Sequence, residues 1–324
     1  MECLKPDFVN FIAAVLVSTM GLFGVLCNFL IVVSFKKEKS ERTSFNLICV
    51  FRAVINLYVL ITTFMICFLP VIVLGCSPYS TYFEAALIVF SNTFYLGNEY
   101  QTILVAANRF CALFFPLHYS RLFGYKSTFI ALVLIYSYRF FALFLEALVY
   151  VSPTEPPTGP VPDCSIFFSP AKLTWSLTEG CGEDDDNILT VVSLTFLIVT
   201  IFNVATFAKI IKFQRSRKIE GKRISAAEKK NMMLFFQTVL QDSLYLIDLT
   251  FTYKLSSLSN ARAWNFISGT FVWECLHSLD GLIMLMFNER FTLLKSLFRR
   301  LHPSQPVSES PQTTPQSVPM ARVE

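Results

Sequence analysis

FVNFIAAVLVSTMGLFGVLCNFLIVVSF, residues 8–35, followed at once by KKEKSER, residues 36–42, is the stretch that decides the fold. A helix rises about 1.5 Å per residue and bilayer hydrocarbon is about 30 Å thick, so about 20 mainly apolar residues cross it. Residues 8–35 exceed that length and contain no acid and no base. The stretch is longer than a signal-peptide core, lacks a small-residue cleavage pattern, and follows a leader poor in basic residues. It is therefore expected to be a retained first span.

Working outward, six further stretches qualify: 44–74, 82–115, 128–151, 188–211, 231–253 and 264–287. The first five of the seven are plain. The last two hold more polar residues, and a hydropathy scan is expected to be weakest there. Composition agrees with a membrane domain. Hydrophobic residues make up 54% of the 324 positions and charged residues only 15%, with Phe occurring 34 times. A soluble domain carries about a quarter charged residues. The expected fold is an all-α membrane protein, a seven-transmembrane helix bundle. Residues 1–7 form a short outer N-terminus. Residues 8–301 form the bundle, with room for a short amphipathic cytoplasmic helix, and 302–324 form a polar, Pro/Ser/Thr-rich tail expected to be disordered.

Orientation follows from the short loops, because Lys and Arg are retained on the cytoplasmic side. Lys36, Lys37, Lys39 and Arg42 follow the first span, and Arg121 and Lys126 follow the third. Arg215, Arg217, Lys218, Lys222 and Arg223 stand among the cations after the fifth. The opposite loops are nearly free of cations, so the N-terminus is expected outside and the C-terminus inside. Cys3, Cys76, Cys164 and Cys181 all fall on the expected outer side, where disulfides persist. Cys76, Cys164 and Cys181 are the leading disulfide candidates, and four cysteines leave three connectivities open.

Ionisable groups inside a span cost about 2.5–3.5 kcal/mol at mid-membrane and so should face the bundle interior. Counted along the helices, Asn28 and Asp280 lie about 12 Å from the inner ends of their spans, Arg52 about 13 Å and Asn56 about 19 Å. Asn98 lies about 16 Å above Arg109. These five, Asn28, Arg52, Asn56, Asn98 and Asp280, are expected to converge as a polar switch in the inner half, where the carboxylate pairs with Arg52, holds a cation or is protonated. Lone His277 reads as packing. Nothing supports catalysis or a cofactor. There is no zinc spacing, no H-E-x-x-H and no P-loop, and no basic arm interleaved with aromatics for nucleic acid.

At the inner end of the third span stands Asn108-Arg109-Phe110. This resembles the D-R-Y signature of rhodopsin-like receptors in the N-R-F form of nematode chemoreceptors. Gly24 with Asn28, Thr43-Ser44-Phe45-Asn46, Phe236-Gln237 through Gln241-Asp242, His277-Ser278-Leu279-Asp280-Gly281 and Phe287-Asn288 resemble the serpentine receptor class X family of nematodes, over about residues 21–288. Asn56 falls where rhodopsin-like receptors commonly have an acid. Cys164 to Cys181, enclosing Phe167, Phe168 and Trp175, is similar to the family's outer-loop pattern.

Three departures from the pattern matter. Asn108 removes the carboxylate that usually restrains the neighbouring arginine. The fifth and sixth spans have no proline. Glu84, not a cysteine, stands twenty-five residues before Arg109, which leaves Cys76 as the nearest partner for the usual third-helix bridge.

The resemblance implies a chemosensory receptor of the plasma membrane, at sensory-neuron cilia. It would bind a small-molecule or peptide ligand and couple to a heterotrimeric G protein. Asn108, Arg109, Phe110, Arg215, Arg217 and Lys218 are the expected coupling residues. Ser91, Asn92, Tyr95, Asp248 and Trp273 are the expected ligand-binding residues. The alternatives are a seven-helix ligand-gated channel or transporter, or a peptide or transmitter receptor.

Overall fold

A reciprocal pair of side-chain caps starts the first helix, α1 (Phe8–Lys37). Asp7 Oδ1 accepts the Asn10 amide at 3.0 Å, and Asn10 Oδ1 accepts the Asp7 amide at 3.3 Å. Lys36 and Lys37 close its last turn, where the helix dipole favours cations. The computed structural model describes residues 3–37, 43–151, 166–177, 185–219 and 226–287, without the side chains of 146–151, 185–189, 218, 226–228 and 230–231. Cys164, Cys181, the side chains of Glu146 and Lys218, and the segment after 287 therefore lie outside the described residues.

Six further long helices come after α1: α2 (Ser44–Leu74), α3 (Thr81–Phe114), α4 (Tyr125–Val151), α5 (Asp185–Ile219), α6 (Ala226–Thr250) and α7 (Arg262–Phe287). The boundaries match the expected spans closely. The main differences are that α5 and the start of α6 run on into the basic segment between them, and that a short helix, Pro116–Leu122, succeeds α3. Among the described residues five helices are long and apolar enough to cross a membrane by composition alone. The two that fall short are α3 and α6. That one of the last two spans falls short agrees with their higher polar content, and α7 passes at the lowest hydropathy of the five; the failure of α3 corrects the expectation that the first five would all be plain. The reason is the inner face of α3, which buries Glu84, Glu99, Gln101 and Arg109.

Apolar and polar residues are distributed inside-out relative to a soluble protein. Leu22, Leu26 and Phe29 of α1, Leu134 and Phe141 of α4, and Leu194 and Ile201 of α5 are exposed on the outer surface. Asn28, Arg52, Asn56, Gln241, His277 and Asp280 are buried. In lipid this is the stable arrangement, because hydrocarbon solvates the leucines while polar groups must find one another.

Proline shapes α2. Pro70 has no N–H, and its ring crowds the carbonyl four residues back, that of Ile66. The helix widens into π-type turns over Leu60–Phe68. The freed Ile66 carbonyl accepts the Tyr79 hydroxyl at 2.8 Å. Shorter π-type turns succeed α6, at Phe251–Leu255, and lie within α7, at Ile267–Phe271, neither containing proline.

The outer end is tied together at several points. Cys76 is bridged to Cys3, so it is not the partner of the long outer loop that the sequence left open. Gly75 ends α2 at φ 73°, and its carbonyl accepts the Leu4 amide at 3.0 Å. A Cβ there would lie 1.9 Å from the Leu4 carbonyl oxygen, so glycine is required for both the turn and the approach. A two-stranded antiparallel hairpin, β1 (Ile166–Ser169) and β2 (Thr174–Leu177), lies across the bundle mouth. The sequence pattern gave no sign of it. Phe168 stacks on Phe68 of α2 at 4.3 Å, and Thr270 of α7 donates to the Leu173 carbonyl at 2.9 Å.

Glu84 holds that hairpin down. Its Oε1 accepts the Phe168 amide at 2.6 Å and its Oε2 accepts the Ser77 hydroxyl at 2.5 Å. The carboxylate thus clamps β1 to α3 from the position where the family resemblance led one to look for a cysteine. Arg262 at the start of α7 adds a second clasp, donating to Asp7 at 2.8 Å and to Asn10 and the Pro170 carbonyl at 2.7 Å each.

Candidate functional site

Asp280 of α7 is the hub of the inner half. Arg52 Nε lies 3.1 Å from its Oδ2. Asn56 donates to the same oxygen at 2.7 Å, and Gln241 of α6 donates to Oδ1 at 2.7 Å. Asn56 also donates to Asn28 Oδ1 at 3.2 Å, while Asn28 donates to the His277 carbonyl at 3.1 Å. One carboxylate joins α2, α6 and α7, and Asn28 brings in α1 through Asn56 and the His277 carbonyl. Gly281 permits it, since a Cβ there would lie 2.4 Å from Asn28 Nδ2. Of the three fates open to the carboxylate, pairing with Arg52 is the one the structure shows.

His277 belongs to this set, which corrects its reading as packing. Its Nδ1 meets Asn56 Oδ1 at 2.8 Å. An amide oxygen only accepts, so Nδ1 carries the hydrogen and Nε2 is left as an acceptor. Asn98 does not join Asp280 directly. Its Oδ1 accepts the Tyr136 hydroxyl at 2.9 Å, which also bonds Gln101 at 2.8 Å. Depth along a helix says nothing of rotation about the helix axis, and that rotation turns Asn98 toward α4. His277, Gln241 and Tyr245, the last with its ring 4.8 Å from the Arg52 guanidinium carbon, are the members that depth counting left out. Spacing held a signal for two of them, since His277 sits one turn before Asp280 and Gln241 one turn before Tyr245.

Arg109 is buried at the inner end of α3. Its guanidinium carbon lies 3.6 Å from the centroid of the Phe45 ring, in the first turn of α2. Its Nε and Nη2 have no hydrogen-bond partner among the described residues. Asn108 turns elsewhere, accepting the Tyr119 hydroxyl at 3.3 Å, which in turn meets Ser44 at 3.1 Å. With no acid beside it in sequence, the arginine is held by an aromatic face, two residues along from the Thr43 cap of α2. Phe110 packs against Phe114 at 4.3 Å and Phe202 of α5 at 5.2 Å, joining helices at this end. Arg215 is exposed near the end of α5, and Arg217 lies over the Phe213 ring at 5.2 Å.

Nearer the middle, the Tyr95 hydroxyl donates to Asp248 Oδ2 at 2.9 Å, and the Tyr95 ring meets Trp273 edge-on at 6.4 Å. Ser91 bonds Thr63 of α2. Asn92 is exposed on the outer surface of α3, one residue off the buried face, and does not line this region. The other four expected ligand residues are buried on facing helices.

Seven long helices, a buried carboxylate hub on the seventh and an arginine closing the third make the architecture of a seven-helix receptor. The crystal structure of squid rhodopsin superposes with a TM-score of 0.68, at 13% identity, covering 94% of this chain and 89% of that one. Residues 19–288 match the model of the serpentine type 7TM GPCR chemoreceptor Srx, and the chain belongs to that family. It is similar to serpentine receptor class X 45 of Caenorhabditis elegans, 26% identical over 316 residues, covering 90% of this chain and 82% of the relative. The chain is a multi-pass G-protein-coupled chemosensory receptor, with receptors, not enzymes, as its relatives.

Proposed function

We propose that the Asp280 hub is the switch of this receptor and Arg109 its output to the G protein. One observation carries the reading. A single buried carboxylate ties α2, α6 and α7 together above an arginine that forms no ion pair with an acid among the described residues. A ligand entering from the outer side, among Ser91, Tyr95, Asp248 and Trp273, shifts the packing of α3, α6 and α7. It does so only by the difference in its affinity for the two arrangements. Loosening the hub lets the inner ends part, and Arg109 leaves the Phe45 face for the cytoplasmic partner. Arg215, Arg217 and Lys218 supply a basic surface beside it. The receptor acts at the plasma membrane, on sensory cilia, and takes a small molecule.

The test is nucleotide exchange on a G protein in membranes from cells expressing the receptor. Arg109→Ala should abolish exchange at normal surface expression, and Asp280→Asn should change the basal rate. If Arg109→Ala couples normally, the output assignment falls. If Asp280→Asn changes only surface expression, the hub is structural.

A further inference from the structure

Among the described residues, four buried polar atoms without a hydrogen-bond partner gather around one side chain, Tyr95. Asp248 Oδ1 is free while Oδ2 holds the Tyr95 hydroxyl. Glu99 Oε1 is free, one turn from Tyr95 on α3. The Tyr245 hydroxyl, on the side of the Arg52 charge, has no partner at hydrogen-bond geometry among the described residues, and its ring lies 5.7 Å from that of Tyr95. His277 Nε2 is free, its ring 6.3 Å from Tyr95. Native proteins leave few such atoms unpartnered, and each needs a reason. When ionised, the carboxylate oxygens can only accept, as does Nε2 of a neutral imidazole with its hydrogen on Nδ1, and the tyrosine hydroxyl can accept as well.

The charges and the rings point the same way. Arg52, the buried cation below, is paired with Asp280. Arg139 of α4 is the cation within electrostatic reach of Glu99. Among the described residues no Lys or Arg forms an ion pair with Asp248, which is 3% exposed. No group of three or more His, Cys, Asp and Glu is disposed to hold a metal ion among those residues. Three aromatic rings surround the spot instead. Trp273 and Tyr245 flank Tyr95, and Phe64 and Phe68 continue the wall outward from Trp273 at 5.1 and 6.1 Å. Phe168 of the outer hairpin closes that wall. Anionic acceptors beside aromatic faces are the chemistry that recognises an ammonium group, which brings three donors and a positive charge.

We infer that this receptor's ligand is a protonated amine with an apolar or aromatic body, its ammonium held by Asp248 and Glu99 at the Tyr95 cluster and its body along Trp273, Phe64 and Phe68. The inference rests on the chain being a ligand-binding receptor, and names the class of ligand it takes.

The experiment uses the full-length receptor in nanodiscs and three probes of matched skeleton: 2-phenylethylamine, 2-phenylethanol and phenylacetic acid. Thermal stabilisation reports binding, and nucleotide exchange on a G protein is measured in parallel. The amine should stabilise the receptor, the alcohol at least tenfold more weakly, and the acid not at all. Asp248→Asn keeps an oxygen for Tyr95 and should weaken the amine about ten- to hundredfold, the scale of one charge-assisted hydrogen bond. Glu99→Gln should weaken it in the same direction. Asp242→Asn, an acid of α6 bonded to Asn203, should keep amine binding. The melting curve of each variant shows whether it is folded. The inference is overturned if the alcohol or acid binds as well as the amine, if none of the three binds, or if folded Asp248→Asn and Glu99→Gln both bind the amine as wild type does. If the amine binds the wild-type receptor but elicits no nucleotide exchange, the coupling reading falls and the ligand class stands.

Discussion

Arg52 and Asp280 should be strongly coupled, and a double-mutant cycle measures how strongly. Both side chains are buried, at 2% and 1% exposure, with 3.1 Å between Nε and Oδ2. Removing one partner of a buried pair costs about 3–5 kcal/mol, because the other charge is left in a medium that cannot solvate it. The two singles should not be equal. Arg52→Met leaves Asp280 with donors from Asn56 and Gln241 at 2.7 Å each, so its cost falls at the low end, about 3 kcal/mol. Asp280→Asn leaves a buried guanidinium whose other contact is the Tyr245 face, and sets an amide N–H against the donors already aimed there. Its cost falls at the high end, about 5 kcal/mol. The double variant buries no charge and should cost at least about 2 kcal/mol less than the sum of the singles. Denaturant unfolding of the purified receptor in mixed micelles gives all four values. Additivity to within about 0.5 kcal/mol would refute the coupling and with it the role of Asp280 as the tie between helices.

Three other perturbations arise from the same contacts. Phe45→Ala removes the face beneath Arg109, and a desolvated cation–π contact is worth about 2 kcal/mol, so basal nucleotide exchange should rise, up to roughly thirtyfold, while Phe45→Tyr stays near wild type; unchanged exchange in Phe45→Ala would mean the ring does not restrain the arginine. Glu84→Ala removes the acceptor of the Phe168 amide, and a bond to a charged group is worth about 1.5–3 kcal/mol, so hydrogen exchange at that amide should accelerate roughly ten- to hundredfold; an unchanged rate would show that the hairpin is held elsewhere. At the outer surface the Asp7 carboxyl sits below the usual carboxylate value, held there first by the Asn10 amide and further by the Arg262 charge. A lowered value means that its stabilising contribution is present at neutral pH and is lost as pH falls through that lowered value. The melting difference between wild type and Asp7→Asn should therefore close in acid, and a gap that persists at every pH would contradict the assignment.

The bundle was legible in the sequence because its determinants are one-dimensional. Span length comes from counting apolar residues, orientation from which loops hold Lys and Arg, and the depth of a polar group from its position along a helix of known rise. That is why Asn28, Arg52, Asn56 and Asp280 could be grouped from the sequence alone. The family motifs likewise sit on single helices and read locally. What only the tertiary structure decided depends on rotation and on partners far apart in the chain. Asn98 turns toward Tyr136 and away from Asp280, and Asn92 lies beside the buried face of α3 without belonging to it. The Glu84 clamp on Phe168, the Cys3–Cys76 bridge and the stacking of Arg109 on Phe45 each join residues from separate elements. No periodicity encodes such contacts, because a polar group in a membrane bonds whichever complementary group the packing of the helices brings within about 3 Å.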